Sequence, residues 1–148
     1  MRILVVTLLY MPDGGPSAPL YGMLCEELAQ RGHAVSGIAA VPRYPSGRVP
    51  REFGGRLIRR SREKGVNIFR VFVPSLNRTS LWQRLIQFLF YQLNASLAGL
   101  GQQYDVELFG NPALVFWLPF TLLYLLRSKP MISSVHDVLP DVGVTLSC

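Results

Sequence analysis

Apolar and polar positions along this chain fall into blocks whose periods alternate between those of strands and helices. Arg2 to Leu8 is an apolar run rich in Val, Ile and Leu. Such an unbroken run predicts a strand covered on both faces, as in a parallel sheet. Met11-Pro12-Asp13-Gly14-Gly15-Pro16 follows as a loop. From Pro19 to Arg31, Leu20, Leu24 and Leu28 recur on one line while Glu26, Glu27 and Gln30 lie off it, which predicts an amphipathic helix. Ser17 is placed to cap its start, and Arg31-Gly32 closes it with a basic last turn and a glycine. His33 to Val41 reads as a second strand. Strand, glycine loop, helix and strand in succession form a βαβ unit.

Pro42 to Gly55 is an irregular loop containing three prolines and three glycines. Strands are predicted at Arg56 to Arg60 and Val66 to Val73, either side of a charged turn. A helix is predicted from Ser80 to Leu100, capped by Thr79 or Ser80. A strand at Tyr104 to Phe109 ends in the turn Gly110-Asn111-Pro112. Ala113 to Leu126 reads as a very apolar helix with a kink at Pro119, Pro130 to Val135 as a further strand, and Val138 to Leu146 as the start of another helix. Strands and helices alternate throughout, which predicts an α/β doubly wound, mostly parallel sheet.

Composition narrows the class. The 148 residues match the size of one domain and allow a sizeable core. Apolar residues make up 49% and charged residues 16%, the reverse of a disordered chain. Fifteen Lys and Arg against nine Asp and Glu give a net charge of +6. A chain both apolar and basic suits an anionic membrane surface better than nucleic acid, because no recognition helix or stacking sheet is evident. Cys25 and Cys148 make neither a metal-ligand spacing nor a disulfide scaffold, so a reducing compartment is expected. The N-terminal run lacks a cleavage site, and no apolar stretch is long enough for a spanning helix.

Four places can carry chemistry. Gly14-Gly15 follows the first strand, where backbone amides at a helix start attract phosphate; a plain turn is the alternative. His136-Asp137 ends the last strand and faces the same crevice. His136 can hydrogen-bond a sugar hydroxyl or phosphate, or act as a base. Asp137 and Asp141 share a face if helical, or Asp137 simply caps that helix. Between Arg43 and Arg78 lie ten Lys or Arg, Arg56, Arg59 and Arg60 among them, against Glu52 and Glu63; this is an anion-binding surface or a solvated edge. In Leu81 to Leu100 only Arg84 is charged, and Trp82, Leu85, Ile86, Leu89, Leu93 and Leu97 form one stripe. Such a helix is buried in a core or dipped into a membrane interface, with Arg78, Trp82 and Arg84 as interfacial anchors. No HExxH, CxxC, GxSxG or Walker pattern occurs.

The opening strand, the Gly-Gly loop, the helix ending LAQRGHAV and the segment Pro42-Arg43-Tyr44-Pro45-Ser46-Gly47 together resemble the N-terminus of family 4 glycosyltransferases of the GT-B fold. The similarity is to a bacterial subgroup that builds surface polysaccharides. Val135-His136-Asp137-Val138-Leu139-Pro140-Asp141 resembles that subgroup's V-H-D-L-W-P-D/E motif, with Leu139 where Trp is usual. The resemblance implies a Rossmann-like domain forming the N-terminal, acceptor-side half of a GT-B fold over residues 1–148. It implies transfer of a sugar from a nucleotide-sugar to a lipid-linked or polysaccharide acceptor, without a tightly bound metal or other cofactor. It places Gly14 and Gly15 by the donor phosphates and His136, as catalytic residue, by the reacting sugar. Asp13, Tyr44, Asp137 and Asp141 become acceptor-side or supporting residues. The implied partners are the nucleotide-sugar donor, a lipid-linked sugar acceptor and the inner membrane's cytoplasmic surface, where the chain is peripheral. The nucleotide-binding domain with its E-x7-E motif is absent from these residues. The chain is therefore expected to be inactive alone, with strand ends at Leu8, Phe109 and Val135 exposed toward the second domain or a separate chain carrying it. The alternative is a non-enzymatic, membrane-associated subunit that binds acceptor for a separate catalytic chain.

Overall fold

The computed structural model describes residues 1–43, 46, 48–76, 80–110 and 117–134. In chain order the elements are β1 (Arg2–Val6), α1 (Ala18–Gln30), β2 (Ala34–Ala40), a 3-10 turn (Arg51–Phe53), β3 (Ile58–Glu63), β4 (Val66–Val71), α2 (Leu81–Leu100), β5 (Val106–Phe109), α3 (Trp117–Arg127) and β6 (Met131–Ser133). The strands make one six-stranded sheet in the order β3-β4-β2-β1-β5-β6. β1 pairs in parallel with β2 and β5, β2 with β4, and β5 with β6. β3 alone runs antiparallel, along β4. This is the mostly parallel, Rossmann-like α/β sheet that the block pattern predicts.

Because side chains alternate along a strand, β1 feeds two cores. Leu4 and Val6 join Ile38, Phe69, Val71, Tyr91, Ala95 and Leu123 beneath α2 and α3. Ile3 and Val5 join Val35, Ile68, Tyr21 and Cys25 beneath α1. Burial pushes the Cys25 thiol up to about 12, so it acts as packing and not as a nucleophile. Phe109 lies in the first core with its ring 5.5 Å from that of Phe120, so this strand end is covered by α3 instead of being exposed. Leu8 is half-buried, and Val135 lies outside the described residues.

Boundaries differ where local chemistry overrides pattern. α1 buries Ala18, Tyr21 and Cys25, while Leu20 is exposed and Leu24 and Leu28 are only partly covered. The face that meets the sheet is thus one position on from the leucine line. Ser17 stands at the N-cap without a side-chain bond, as does Ser80 before α2. The C-terminus of α1 closes as a Schellman motif: His33 N–H donates to the Leu28 carbonyl and Gly32 N–H to that of Ala29, with Gly32 at φ +84°. The strand expected at Arg56 to Arg60 begins two residues later and absorbs most of the expected turn. The hairpin tightens to Lys64-Gly65, both at positive φ (46° and 85°), the geometry that matches strand twist. Arg59, Arg60 and Arg62 on this edge strand blunt it against pairing with another sheet.

Helix α2 turns its polar side inward. Gln87, Gln92, Asn94 and Ser96 are buried, and each has a bond. Gln87 donates to the carbonyls of Pro74 (3.1 Å) and Leu76 (3.2 Å), and Asn94 to that of Phe72 (2.9 Å). Gln92 accepts from Leu118 N–H at 3.1 Å, and Ser96 donates to the Gln92 carbonyl at 2.7 Å. The Tyr91 hydroxyl donates to the Thr7 carbonyl at 2.7 Å. Trp82, Leu85, Ile86, Leu89, Leu93 and Leu97 consequently face outward.

One buried group stands apart. Glu107, in the middle of β5, is 1% exposed, and among the described residues neither carboxylate oxygen has a partner in good hydrogen-bond geometry. Burial raises its pKa above the ordinary 4.5, opposed by the nearby Tyr104 hydroxyl. An acid whose folded pKa is raised keeps its full stability below the unfolded value and loses it as pH rises toward the folded one. Glu107→Gln is therefore expected to be more stable than the parent at pH 8, with the difference vanishing below about pH 4 in urea titrations. Tyr91→Phe leaves the Thr7 carbonyl unpaired beneath α2 and is expected to cost about 1–2 kcal/mol by the same measurement.

Candidate functional site at the carboxyl ends of the strands

In an open parallel sheet the crevice beyond the carboxyl ends of the strands is where ligands bind. Here that end is built from the loops after β1, β2, β4 and β5. The loop after β1 carries Gly14, exposed, and Gly15, buried. Asp13, 4% exposed, ties it down. One carboxylate oxygen accepts from Gly15 N–H at 3.3 Å, and the other accepts from Arg43 N–H, thirty residues on, at 3.1 Å. The carboxylate therefore clamps the loop after β1 to the loop after β2. A Cβ on Gly15 would fall 2.2 Å from Leu9 Cδ1, so a larger residue there would push the Leu9 side chain aside.

Not every amide here is available to an anion. Gly15 N–H is committed to Asp13, Ala18 N–H donates to the Gly15 carbonyl, and Pro16 and Pro19 carry none. Gly14, exposed and lacking a Cβ, is the position where backbone can approach a ligand closely.

Arg70 is a second organiser, absent from the sequence expectations. It is 1% exposed, donates to the Met11 carbonyl and reaches Glu63 at 3.3 Å. Its guanidinium lies 5.8 Å from the centroid of the Tyr10 ring and 5.4 Å from that of Phe53. It thus joins the loop after β1, the 3-10 turn and the β3–β4 hairpin. A groove of about 370 Å³ opens beside it, lined by Tyr10, Met11, Pro12, Glu26, Phe53, Glu63 and Lys64. A single charge inside the apolar run Val66 to Val73 was the signal in the sequence. Burial also raises the Tyr10 hydroxyl well above its ordinary range, so it stays protonated near neutrality.

The basic positions separate. Register places Arg59 opposite Arg70, on the α1 side, where it lies 5.8 Å from the Phe53 ring. Arg60 sits opposite Phe69, on the α2 side, 5.6 Å from that ring. Arg56 is exposed ahead of β3, and Trp82 and Arg84 are exposed in the first turn of α2. Tyr44, Arg78, His136, Asp137 and Asp141 lie outside the described residues, as does the expected helix from Val138. Among the described residues no group of three His, Cys, Asp or Glu side chains is placed to hold a metal ion.

No protein-family model matches the chain, and no curated protein does. Among solved structures, a sucrose-phosphate synthase (tll1590) from Thermosynechococcus elongatus is similar, with a TM-score of 0.60 at 12% sequence identity. The match covers 100% of this chain and 36% of that one, so the chain spans about a third of the structure it resembles. At this identity the likeness is one of fold: a Rossmann-like α/β domain that matches part of a GT-B glycosyltransferase.

Proposed function

We propose that this chain is the acceptor-side domain of a glycosyltransferase. The enzyme would move a sugar from a nucleotide-sugar to a lipid-linked or polysaccharide acceptor during surface-polysaccharide synthesis. The observation that carries the reading is the clamped glycine loop at the carboxyl end of β1, in a sheet matched along its whole length by part of a GT-B enzyme. The Asp13 carboxylate spends its charge on two backbone amides, which holds Gly14 at the crevice mouth with its backbone open to a phosphate. In the proposed enzyme His136 stands at the reacting sugar, a role that comes from the motif it belongs to, and Asp137, Asp141 and Tyr44 support the acceptor.

A crevice enzyme gains much of its rate by holding two reactants together, and one wall cannot do that. The 148 residues alone are expected to give no turnover when release of nucleoside diphosphate from a nucleotide-sugar is measured with acceptor present. Adding a nucleotide-binding domain, in the same chain or separately, restores it. Turnover by the isolated chain overturns the two-walled reading. Acceptor binding without turnover in any combination favours a recruiting subunit instead. Asp13→Ala removes the acceptor for two buried amides. It is expected to cost about 1–3 kcal/mol in urea unfolding and to reduce transfer in the assembled enzyme.

A further inference from the structure

The outward face of α2 is apolar. Six large apolar side chains, Trp82, Leu85, Ile86, Leu89, Leu93 and Leu97, are between 43% and 75% exposed along one stripe. Scattered exposed apolar residues need no explanation, but a continuous stripe along a whole helix does. The rotation is not accidental. Gln87, Asn94 and Tyr91 are each bonded to backbone carbonyls of strand-end loops, so turning the stripe inward would break every one of those bonds.

Charge is sorted across the sheet in the same sense. Leu81 to Leu100 contains no acidic residue. Arg84 lies in its first turn, Arg60 projects on the α2 side of the edge strand, and Arg127 of α3 bonds the Leu100 carbonyl at the far end. The carboxylates of Glu26 and Glu27 are on α1, and Glu63 shares the α1 side with Val66. The surface around α2 thus joins an apolar stripe to arginines, while on the α1 side Glu26, Glu27 and Glu63 are balanced by Lys64, Arg31 and Arg70, and Glu107, on the α2 side of the sheet, is buried.

We propose that this side is a docking surface for an anionic lipid bilayer. α2 lies in the plane of the interface, its stripe among the acyl chains and Trp82 and the arginines at headgroup level. A helix of twenty residues is about 30 Å long, but no helix among the described residues is long and apolar enough to cross a membrane. Docking is therefore parallel to the surface. A protein partner would need acids facing Arg60, Arg84 and Arg127 around an apolar centre; phospholipid headgroups over acyl chains supply that layout without a specific fit. The proposal stands on the helix face and not on the transferase reading, and its test involves no turnover.

The whole chain is mixed with vesicles of phosphatidylcholine containing about 30 mol% phosphatidylglycerol, or none, and floated on a density gradient. It is expected to float with the anionic vesicles and to bind them at least about tenfold more weakly at high salt. Leu89→Gln with Leu93→Gln lowers the partition coefficient by about tenfold or more, with circular dichroism unchanged, and Met23→Gln on the exposed side of α1 leaves it unaltered. In a Trp117→Phe background, brominated lipid quenches Trp82. A chain that stays with the soluble fraction, equal flotation of the double variant, or a dimer in solution that the double variant dissolves while vesicles bind neither, overturns the proposal.

Discussion

The rotation of α2 about its own axis is set by hydrogen bonds, not by its apolar content. Strand-end carbonyls at Thr7, Phe72 and Pro74 point into the space between sheet and helix and need donors. Tyr91, Asn94 and Gln87 supply them from one side of the helix. An unmade buried bond costs more than a half-exposed leucine gains, so the polar side wins the interior. The same bonds hold the loops after β1 and β4, and hence the crevice mouth. The shape of the candidate site and the direction of the apolar stripe are two results of one set of contacts.

The strand-end region has a similar economy of parts. Asp13 and Arg70 are both almost fully buried charged residues; Asp13 accepts from the Gly15 and Arg43 amides, and Arg70 bonds the Met11 carbonyl and pairs with Glu63. Neither is placed as a reactive group, yet between them they fix the loops after β1 and β2, the 3-10 turn and the hairpin. A glycine loop can present backbone to a ligand only if something else makes it rigid, and here a carboxylate does so.

The alternation of strands and helices was readable because β1, β2 and β4 are largely buried on both faces, so apolar residues dominate their runs. Gly32 marked the end of α1 correctly for the same local reason that glycine tolerates positive φ. The edge strand was cut short because Ser61-Arg62-Glu63 read as turn, whereas an edge strand needs no apolar face. The side of α2 that faces the core was not readable at all. Periodicity reveals a stripe but not which side the core lies on, and the deciding partners of Gln87 and Asn94 are carbonyls in another segment. Gly14-Gly15 was legible as a loop before a helix. Asp13's grip on Arg43 N–H and the burial of Arg70 depend on tertiary neighbours and left only a lone charge in an apolar run as a trace.

The central position of β1 sets an order on assembly. β1 pairs with β2 some thirty residues away, but its other neighbour is β5, a hundred residues later, where Arg2 also meets Asp105 at 2.8 Å. A chain emerging from the ribosome can close the α1 side of the sheet early. The other side stays without its second wall until Phe109 has been synthesised, with α2 already made. Contacts so distant in sequence slow folding and prolong exposure of apolar surface. During synthesis the apolar sheet face that α2 comes to cover is thus exposed together with the stripe on α2 itself.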